Sequence, residues 1–137
     1  APQKGADDVG DTSSQALMTK AWAASDKNDL DSVLKYTNKC IELYGAKARE
    51  MQASLTEYPW GEGDKENREK IFSYWALNDV GTCLFIQGEA YRKAGKLAEA
   101  KVAFQTLLKE YSFAQCWDTQ GWFWKPAESA EEKLQEM

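Results

Sequence analysis

Apolar residues recur at steps of three and four along most of the chain, a spacing typical of helices that pack against a core. In the first such segment, Leu17, Ala21 and Ala24 share one helical face. Residues 12–14 (Thr-Ser-Ser) precede this face and supply candidates for the N-cap. The pattern predicts a short first helix that ends near Lys27.

The longest apolar stripe follows Asn28 and Asp29, either of which can cap a helix. Its members are Val33, Thr37, Ile41, Tyr44, Ala48, Met51, Leu55 and Tyr58. The stripe passes Gly45 without losing phase, although an internal glycine costs about 1 kcal/mol relative to alanine. The sequence therefore predicts one unbroken second helix over residues 29–57, ended by the Pro and Gly that follow.

Residues 59–70, PWGEGDKENREK, are charged and contain glycine, which predicts a loop. Residues 71–77, IFSYWAL, fit either a helical turn or a segment laid on the core. A third helix is predicted from Asn78 or Asp79 to a left-handed stop at Gly95, because basic residues in its last turn complement the helix dipole. A fourth helix, over residues 97–111, follows directly.

The segment after the fourth helix is rich in aromatic residues and contains Trp117, Trp122, Phe123 and Trp124. A short terminal helix follows, with Pro126 at its first position. No stretch shows sustained two-residue alternation, so the chain is predicted to be all-α. We expect Trp117, Phe123 and at least one of Trp122 and Trp124 to be mostly buried against the helix pair 79–111, joined by Leu134 of the terminal helix.

Charge narrows the classes of partner. The chain has 17 Lys and Arg against 22 Asp and Glu, a net charge of -5, so its surface as a whole repels a phosphate backbone and nucleic acid is not an expected partner. The longest apolar runs are far shorter than the roughly 20 residues that cross a bilayer, so no membrane insertion is expected. Residues 1–13 predict a flexible N-terminal tail and an exported protein, periplasmic or extracellular, with a cytoplasmic location as the alternative.

Metal and cofactor chemistry find little support in the composition. The chain has no histidine, and its three cysteines, Cys40, Cys83 and Cys116, form no CxxC pair. A zinc site is therefore not expected, and no cofactor is predicted.

An internal repeat links two parts of the chain, because residues 29–44 align without a gap with residues 96–111. In and around the second copy, Gly88, Tyr91, Ala100 and Phe104 stand at the spacing of the tetratricopeptide repeat, which the segment resembles. Small residues at two of these positions let a helical hairpin close, and the two rings fill the gaps between its helices. Leu84 stands where the family has Trp, whereas Gln87 departs from its Leu and Ser112 from its closing Pro.

The resemblance implies a short, tetratricopeptide-like α-solenoid of two helical hairpins with a long second helix, closed by an aromatic-rich cap and a short helix. Residues 14–137 then form a single domain. The first hairpin fits less well, because Ala24, Val33 and Thr37 stand where the family has Tyr, Ala and Phe. If any disulfide forms, the hairpin geometry favours Cys83 with Cys116, although free thiols are the expectation.

By resemblance the chain is a non-catalytic module that binds a protein or peptide on the face made by the first helices of its hairpins. The family's inward-facing positions correspond to Met18, Trp22, Phe85, Glu89, Arg92 and Lys93. The alternative is carbohydrate binding on stacked rings of Trp60, Trp122 and Trp124. Whether a homodimer completes the array is not decided by the sequence.

An enzyme is the competing class, and the absence of histidine removes its commonest general base. Two options remain, and the weaker is a reactive cysteine, for which the sequence offers no positioned base. The other is a carboxylate pair among Glu62, Asp64, Glu66 and Glu69 beside Trp60. Acidic loops are usually only solvated, so catalysis is not the expectation.

Overall fold

The computed structural model describes residues 10–137, and in this part of the chain six helices and one pair of short strands follow one another. They are α1 (Ser14–Asp26), α2 (Leu30–Ala53), α3 (Asp64–Phe72), α4 (Trp75–Lys93), α5 (Leu97–Glu110), β1 (Cys116–Asp118), β2 (Trp122–Trp124) and α6 (Pro126–Glu136). The predicted tail lies outside the described residues up to position 9, and residues 10–13 are exposed. The predicted all-α class is confirmed, with the strand pair as a small addition.

Side-chain caps fix where the first two helices begin. The Ser13 hydroxyl oxygen accepts a hydrogen bond from the Ala16 N–H at 3.2 Å, and Asp29 Oδ1 accepts one from the Ser32 N–H at 3.2 Å. Each bond satisfies a backbone donor that has no partner within its helix. Both residues were among the predicted caps.

Helix α2 runs unbroken through Gly45, as the phase of its apolar stripe predicts. It ends at Ala53, however, four residues before the predicted end. The Ser54 hydroxyl donates to the Met51 carbonyl at 2.7 Å, and the Leu55 N–H donates to the Gln52 carbonyl at 3.1 Å. These tighter bonds replace the α-helical pattern and close the helix before the proline is reached.

The predicted loop over residues 59–70 is wrong in its second half, where α3 forms. This helix has Asp64 and Glu66 in its first turn and Lys70 in its last, so its charges complement its own dipole. Ile71 is its one buried residue, so the sequence has no apolar stripe from which this helix could be predicted. The charges at its two ends support the helix, and its buried surface is limited to Ile71.

Helix α4 begins at Trp75, three or four residues before the predicted start at Asn78 or Asp79. Asn78 is inside the helix, and its Nδ2 donates to the Ile71 carbonyl at 2.8 Å. The side chain that looked like an N-cap instead ties α4 to the end of α3. Gly95 ends α4 with φ +79°, as predicted.

Strands β1 and β2 form an antiparallel hairpin with Trp117 opposite Phe123. The three-residue loop between them contains Gly121 at φ +112°, a backbone conformation that favours glycine. Three-residue strands are too short to show the two-residue alternation on which strand prediction depends, so the hairpin was missed.

The helices pack as two hairpins in sequence, α1 with α2 and α4 with α5, and α4 also packs against both helices of the first hairpin. Helix α6 then packs against α5 and α4. It occupies the place that the first helix of a third hairpin would take, which covers the open end of the array. This is the predicted two-hairpin solenoid with a terminal helix.

The second hairpin closes through the contact that the repeat spacing predicts. Phe104 and Ala100 are fully buried, and a Cβ atom added to Gly88 would collide with the Phe104 ring. The absence of a side chain on Gly88 therefore sets how closely α4 and α5 approach.

Candidate functional site

An open groove of about 1060 Å³ lies between α1, α4 and the β1–β2 hairpin. Its aromatic residues are Trp22, Phe72, Trp75, Phe85, Trp117, Trp122 and Trp124. Five of the six tryptophans in the chain are in this set, which makes the groove the main aromatic surface of the described residues.

Helix α4 has two faces, one that packs against a neighbouring helix and one that lines the groove. Trp75, Asp79, Thr82 and Phe85 follow one another at steps of three and four and line the groove. The side that carries Gly88 packs instead against α5. One helix therefore closes the second hairpin with one face and supplies a groove wall with the other.

The rings form two clusters on the groove wall. Trp124 packs edge-on against Trp22 and Phe85, with ring centroids 6.2 Å and 5.2 Å away. Trp117 packs against Phe72 at 6.0 Å and against its cross-strand neighbour Phe123 at 4.8 Å. These edge-to-face contacts hold the wall rigid, because each ring is fixed by another.

Three rings in the groove stay open to solvent. The exposed fractions of Trp122, Phe72 and Trp75 are 51%, 47% and 44%. Large rings are usually buried on folding, so three exposed rings in one concave surface make this groove the candidate site.

Two carboxylates stand in this wall. The Ser14 hydroxyl donates to Asp79 Oδ2 at 2.5 Å, which joins α1 to α4, and burial raises the pKa of the Asp79 carboxyl. Asp118 Oδ1 accepts the Gln120 N–H at 2.8 Å in the β1–β2 turn. Each carboxylate is held in place by its own hydrogen bond.

Gln115 completes the base of the groove. Its backbone N–H donates to Asn78 Oδ1 at 3.0 Å, so the residue is anchored to α4. Its side chain lines the groove and is buried, and its amide Nε2 has no hydrogen-bond partner in the described part of the chain. An unpaired buried donor is costly, so native proteins contain few of them.

The structure brings together half of the partner-binding residues that the sequence predicted. Met18, Trp22 and Phe85 line the groove. Glu89 and Arg92 form a two-bond ion pair along α4, with distances of 2.9 Å and 3.1 Å, and do not line it. Lys93 lines a separate cavity of about 180 Å³.

The predicted stacking residues are divided in the same way. Trp122 and Trp124 line the groove, whereas Trp60 is 71% exposed in the segment between α2 and α3 and does not line it. The three rings therefore do not share the groove as one platform.

The prediction for the aromatic segment is right about burial and partly wrong about contacts. Trp117, Phe123 and Trp124 are each mostly buried, and Leu134 packs against the core. Trp124 reaches Phe85 of α4, but the rings of Trp117 and Phe123 pack against Phe72 of α3. The helix that the sequence did not predict supplies their support.

The groove candidates that sequence reasoning missed include Trp75, Asp79 and Gln115. The first two fell outside the groove-facing stripe because α4 was predicted to start at Asn78 or Asp79. Continuing the stripe backward from Thr82 by one and two turns would have found them. Gln115 carries no sequence signal, since its position depends on the bond to Asn78.

The three cysteines are free and buried. The Cys40 thiol contacts that of Cys83, because α2 packs against α4. This contact and burial together raise the pKa of Cys83, and burial raises the pKa of Cys116. Both thiols are therefore poor nucleophiles.

Residues 10–137 were also predicted to lack two other features, a membrane span and a metal site. None of the helices there is long and apolar enough to cross a bilayer. Within the same residues, no group of three or more His, Cys, Asp or Glu side chains is placed to hold a metal ion.

Comparison with known proteins gives one finding. The family model described as tetratricopeptide repeat matches residues 82–113, which span most of α4, all of α5 and the turn after it. The match includes Gly88, Tyr91, Ala100 and Phe104, on which the resemblance was based. No curated protein and no solved structure matches the chain.

Proposed function

Because residues 82–113 of this chain belong to the tetratricopeptide repeat family, we propose that the protein is a non-catalytic module that binds a protein or peptide partner in the aromatic groove. Such repeats generally act as interaction scaffolds and expose a concave surface to their partners. The groove between α1 and α4 lies on the face made by the first helix of each hairpin.

The observation that supports this proposal best is the set of exposed rings in a preformed concavity. Trp75 and Trp122 are about half exposed, yet both stand in a groove whose other rings are fixed by edge-to-face contacts. Tryptophan is enriched among the residues that dominate interface energies, particularly in pockets that a partner can desolvate. A rigid wall also lowers the entropy cost of binding.

A binding role fits the polar groups of the groove better than catalysis does. The chain has no histidine, and the Asp79 and Asp118 carboxylates each accept a structural hydrogen bond. The acidic residues considered as an alternative centre are exposed and do not line the groove: Glu62, Asp64, Glu66 and Glu69. Among the described residues that line the groove, no nucleophile has a positioned base.

A peptide selection tests the proposal directly. A random peptide library displayed on phage is selected against the immobilised full chain, and the affinities of enriched peptides are measured by fluorescence anisotropy. We expect Trp122→Ala to weaken binding by about 30-fold, because truncation of a central interface tryptophan costs about 2 kcal/mol. The unfolding midpoint should hardly change, since the ring is largely exposed.

Trp60→Ala is the matched control, because Trp60 is also exposed but does not line the groove. It should leave peptide affinity unchanged. Enriched peptides that bind equally well to the Trp122→Ala variant would contradict the proposal. Retention of the protein on an insoluble polysaccharide, lost in Trp122→Ala and with no peptide enriched, would assign the groove to carbohydrate instead.

A further inference from the structure

The groove carries charge of one sign only. Its lining includes two acidic residues, Asp79 and Asp118, and no lysine or arginine. Such a surface raises the local concentration of cations and repels anions. An acidic or phosphorylated partner is therefore disfavoured at this site.

The aromatic rings around these carboxylates are also suited to a cation. An ammonium or guanidinium group is attracted to the face of an indole ring, and tryptophan is the strongest such partner. The protein already uses this contact beside the groove, where the Arg68 guanidinium lies 5.8 Å from the centroid of the Trp117 ring. The exposed rings of Trp75 and Trp122 have no cation–π contact of this kind within the described residues.

We propose that the groove selects a peptide segment that carries a lysine or arginine, whose charged group lies on the exposed indole rings and pairs with Asp79 and Asp118. This inference rests on the proposed function and gives the chemical class of its partner. The main-chain carbonyl of the segment is the acceptor that the Gln115 amide lacks.

The burial of Asp79 supports the same assignment. Burial disfavours the ionised form of this carboxyl, and within the described residues the hydroxyl of Ser14 is its hydrogen-bond donor rather than a basic side chain. A cationic side chain that enters the groove would supply the missing counter-charge. The ionised Asp79 carboxylate is therefore more favourable when a cationic partner is bound than when the groove is empty.

A neutral glycan could stack on the same rings, but it would leave both carboxylates without a counter-charge. The carboxylates therefore favour a basic peptide over a sugar.

The peptides enriched on the full chain provide the test. We expect a lysine or arginine at one fixed position, and replacing that residue by norleucine, which keeps the apolar stem, should weaken binding by about tenfold. The Asp79→Asn/Asp118→Asn double variant should lose affinity to the same extent. Asparagine retains an oxygen that accepts the Ser14 and Gln120 bonds, so the groove keeps its shape.

The control is the Glu131→Gln/Glu132→Gln double variant, which changes net charge equally on the exposed side of α6. Its affinity should stay within about twofold of the original. Equal losses of affinity in both double variants would mean that the peptide responds only to the net charge of the protein. That result would overturn the inference.

Two further outcomes separate this inference from the proposed function. Enriched peptides that lack a basic residue but depend on Trp122 would overturn the cation assignment and leave the proposed function intact. Binding to polysaccharide without any enriched peptide would overturn both. If the groove double variant fails to fold, the norleucine peptide measured on the unchanged protein still decides the matter.

Discussion

The two hairpins share a topology but close by different means. In α4–α5, the bare backbone of Gly88 receives the Phe104 ring, and the packing is apolar. In α1–α2, Val33 and Thr37 stand at the corresponding small and aromatic positions, and both are fully buried. The second hairpin is built on steric fit, whereas the first places a polar group in its core.

That polar group explains two departures from the repeat pattern together. The Gln87 amide of α4 donates to Thr37 Oγ1 at 2.9 Å and to Asn38 Oδ1 at 2.8 Å. Thr37 and Gln87 each depart from the repeat pattern. The two side chains hydrogen-bond to each other where the two hairpins meet. The comparison teaches that departures from a repeat can specify how neighbouring repeats dock.

Gly88→Ala should have the largest effect on stability. An added methyl group would overlap the Phe104 ring, and overpacking of a closed core costs about 3 kcal/mol or more at such a contact. Chemical denaturation measures the loss. In a Phe104→Leu background the same change should cost less, because the smaller side chain makes room. An equal cost in both backgrounds would show that the ring contact does not set the fit.

Gln87→Leu should have an intermediate effect, a loss of about 1 to 2 kcal/mol, because two buried hydrogen bonds are removed and Asn38 loses a donor. In a double-mutant cycle with Thr37→Val we expect a coupling of about 1 kcal/mol. Gln105→Leu is the control, since Gln105 is exposed on α5. Additive costs for Gln87→Leu and Thr37→Val would break the proposed link between the hairpins.

The same contrast shows how much could be predicted from sequence. The second hairpin was predictable because its contacts are local and its residues carry the signal, as Gly88 and Phe104 do. Helix α2 was predictable because one apolar phase persists past Gly45. In both cases the spacing of apolar residues along the chain indicates which helix face is buried.

The unpredicted parts depend on contacts between distant segments. Helix α3 has a single buried residue, Ile71, so its periodicity reports nothing. The β1–β2 hairpin is too short to show alternation. Gln115 reaches the groove only through Asn78, which is 37 positions away in the sequence. Much of the candidate site therefore depends on tertiary contacts that no local pattern records.

Gly45→Ala should have a smaller effect of opposite sign. A Cβ atom at this position would lie 3.4 Å from Arg49 Nη1 and 3.5 Å from Tyr111 Oη, which is ordinary contact. The gain in helix propensity should therefore stabilise the protein by about 0.5 to 1 kcal/mol. Ala46→Gly, at the next and exposed position, should cost a similar amount. Destabilisation by Gly45→Ala would mean that α2 needs this glycine for packing, as α4 needs Gly88.

Asp79→Asn should give the smallest shift, and one that depends on pH. Because burial raises the pKa of Asp79 above its usual value of 3.8, the folded state favours the protonated carboxyl. This contribution is complete below pH 3.8 and is lost as the pH rises through the folded-state value, so the variant should be slightly more stable than the original at neutral pH. The titratable neighbours are the Cys83 and Cys116 thiols, whose raised pKa values keep them neutral across this range. Thermal unfolding between pH 4 and pH 7 measures the difference, and Asp31→Asn on the exposed side of α2 is the control. If the variant is more stable by the same amount at every pH in this range, the Asp79 carboxyl does not titrate there. The contact between Ser14 and Asp79 would then not depend on the charge of the carboxyl.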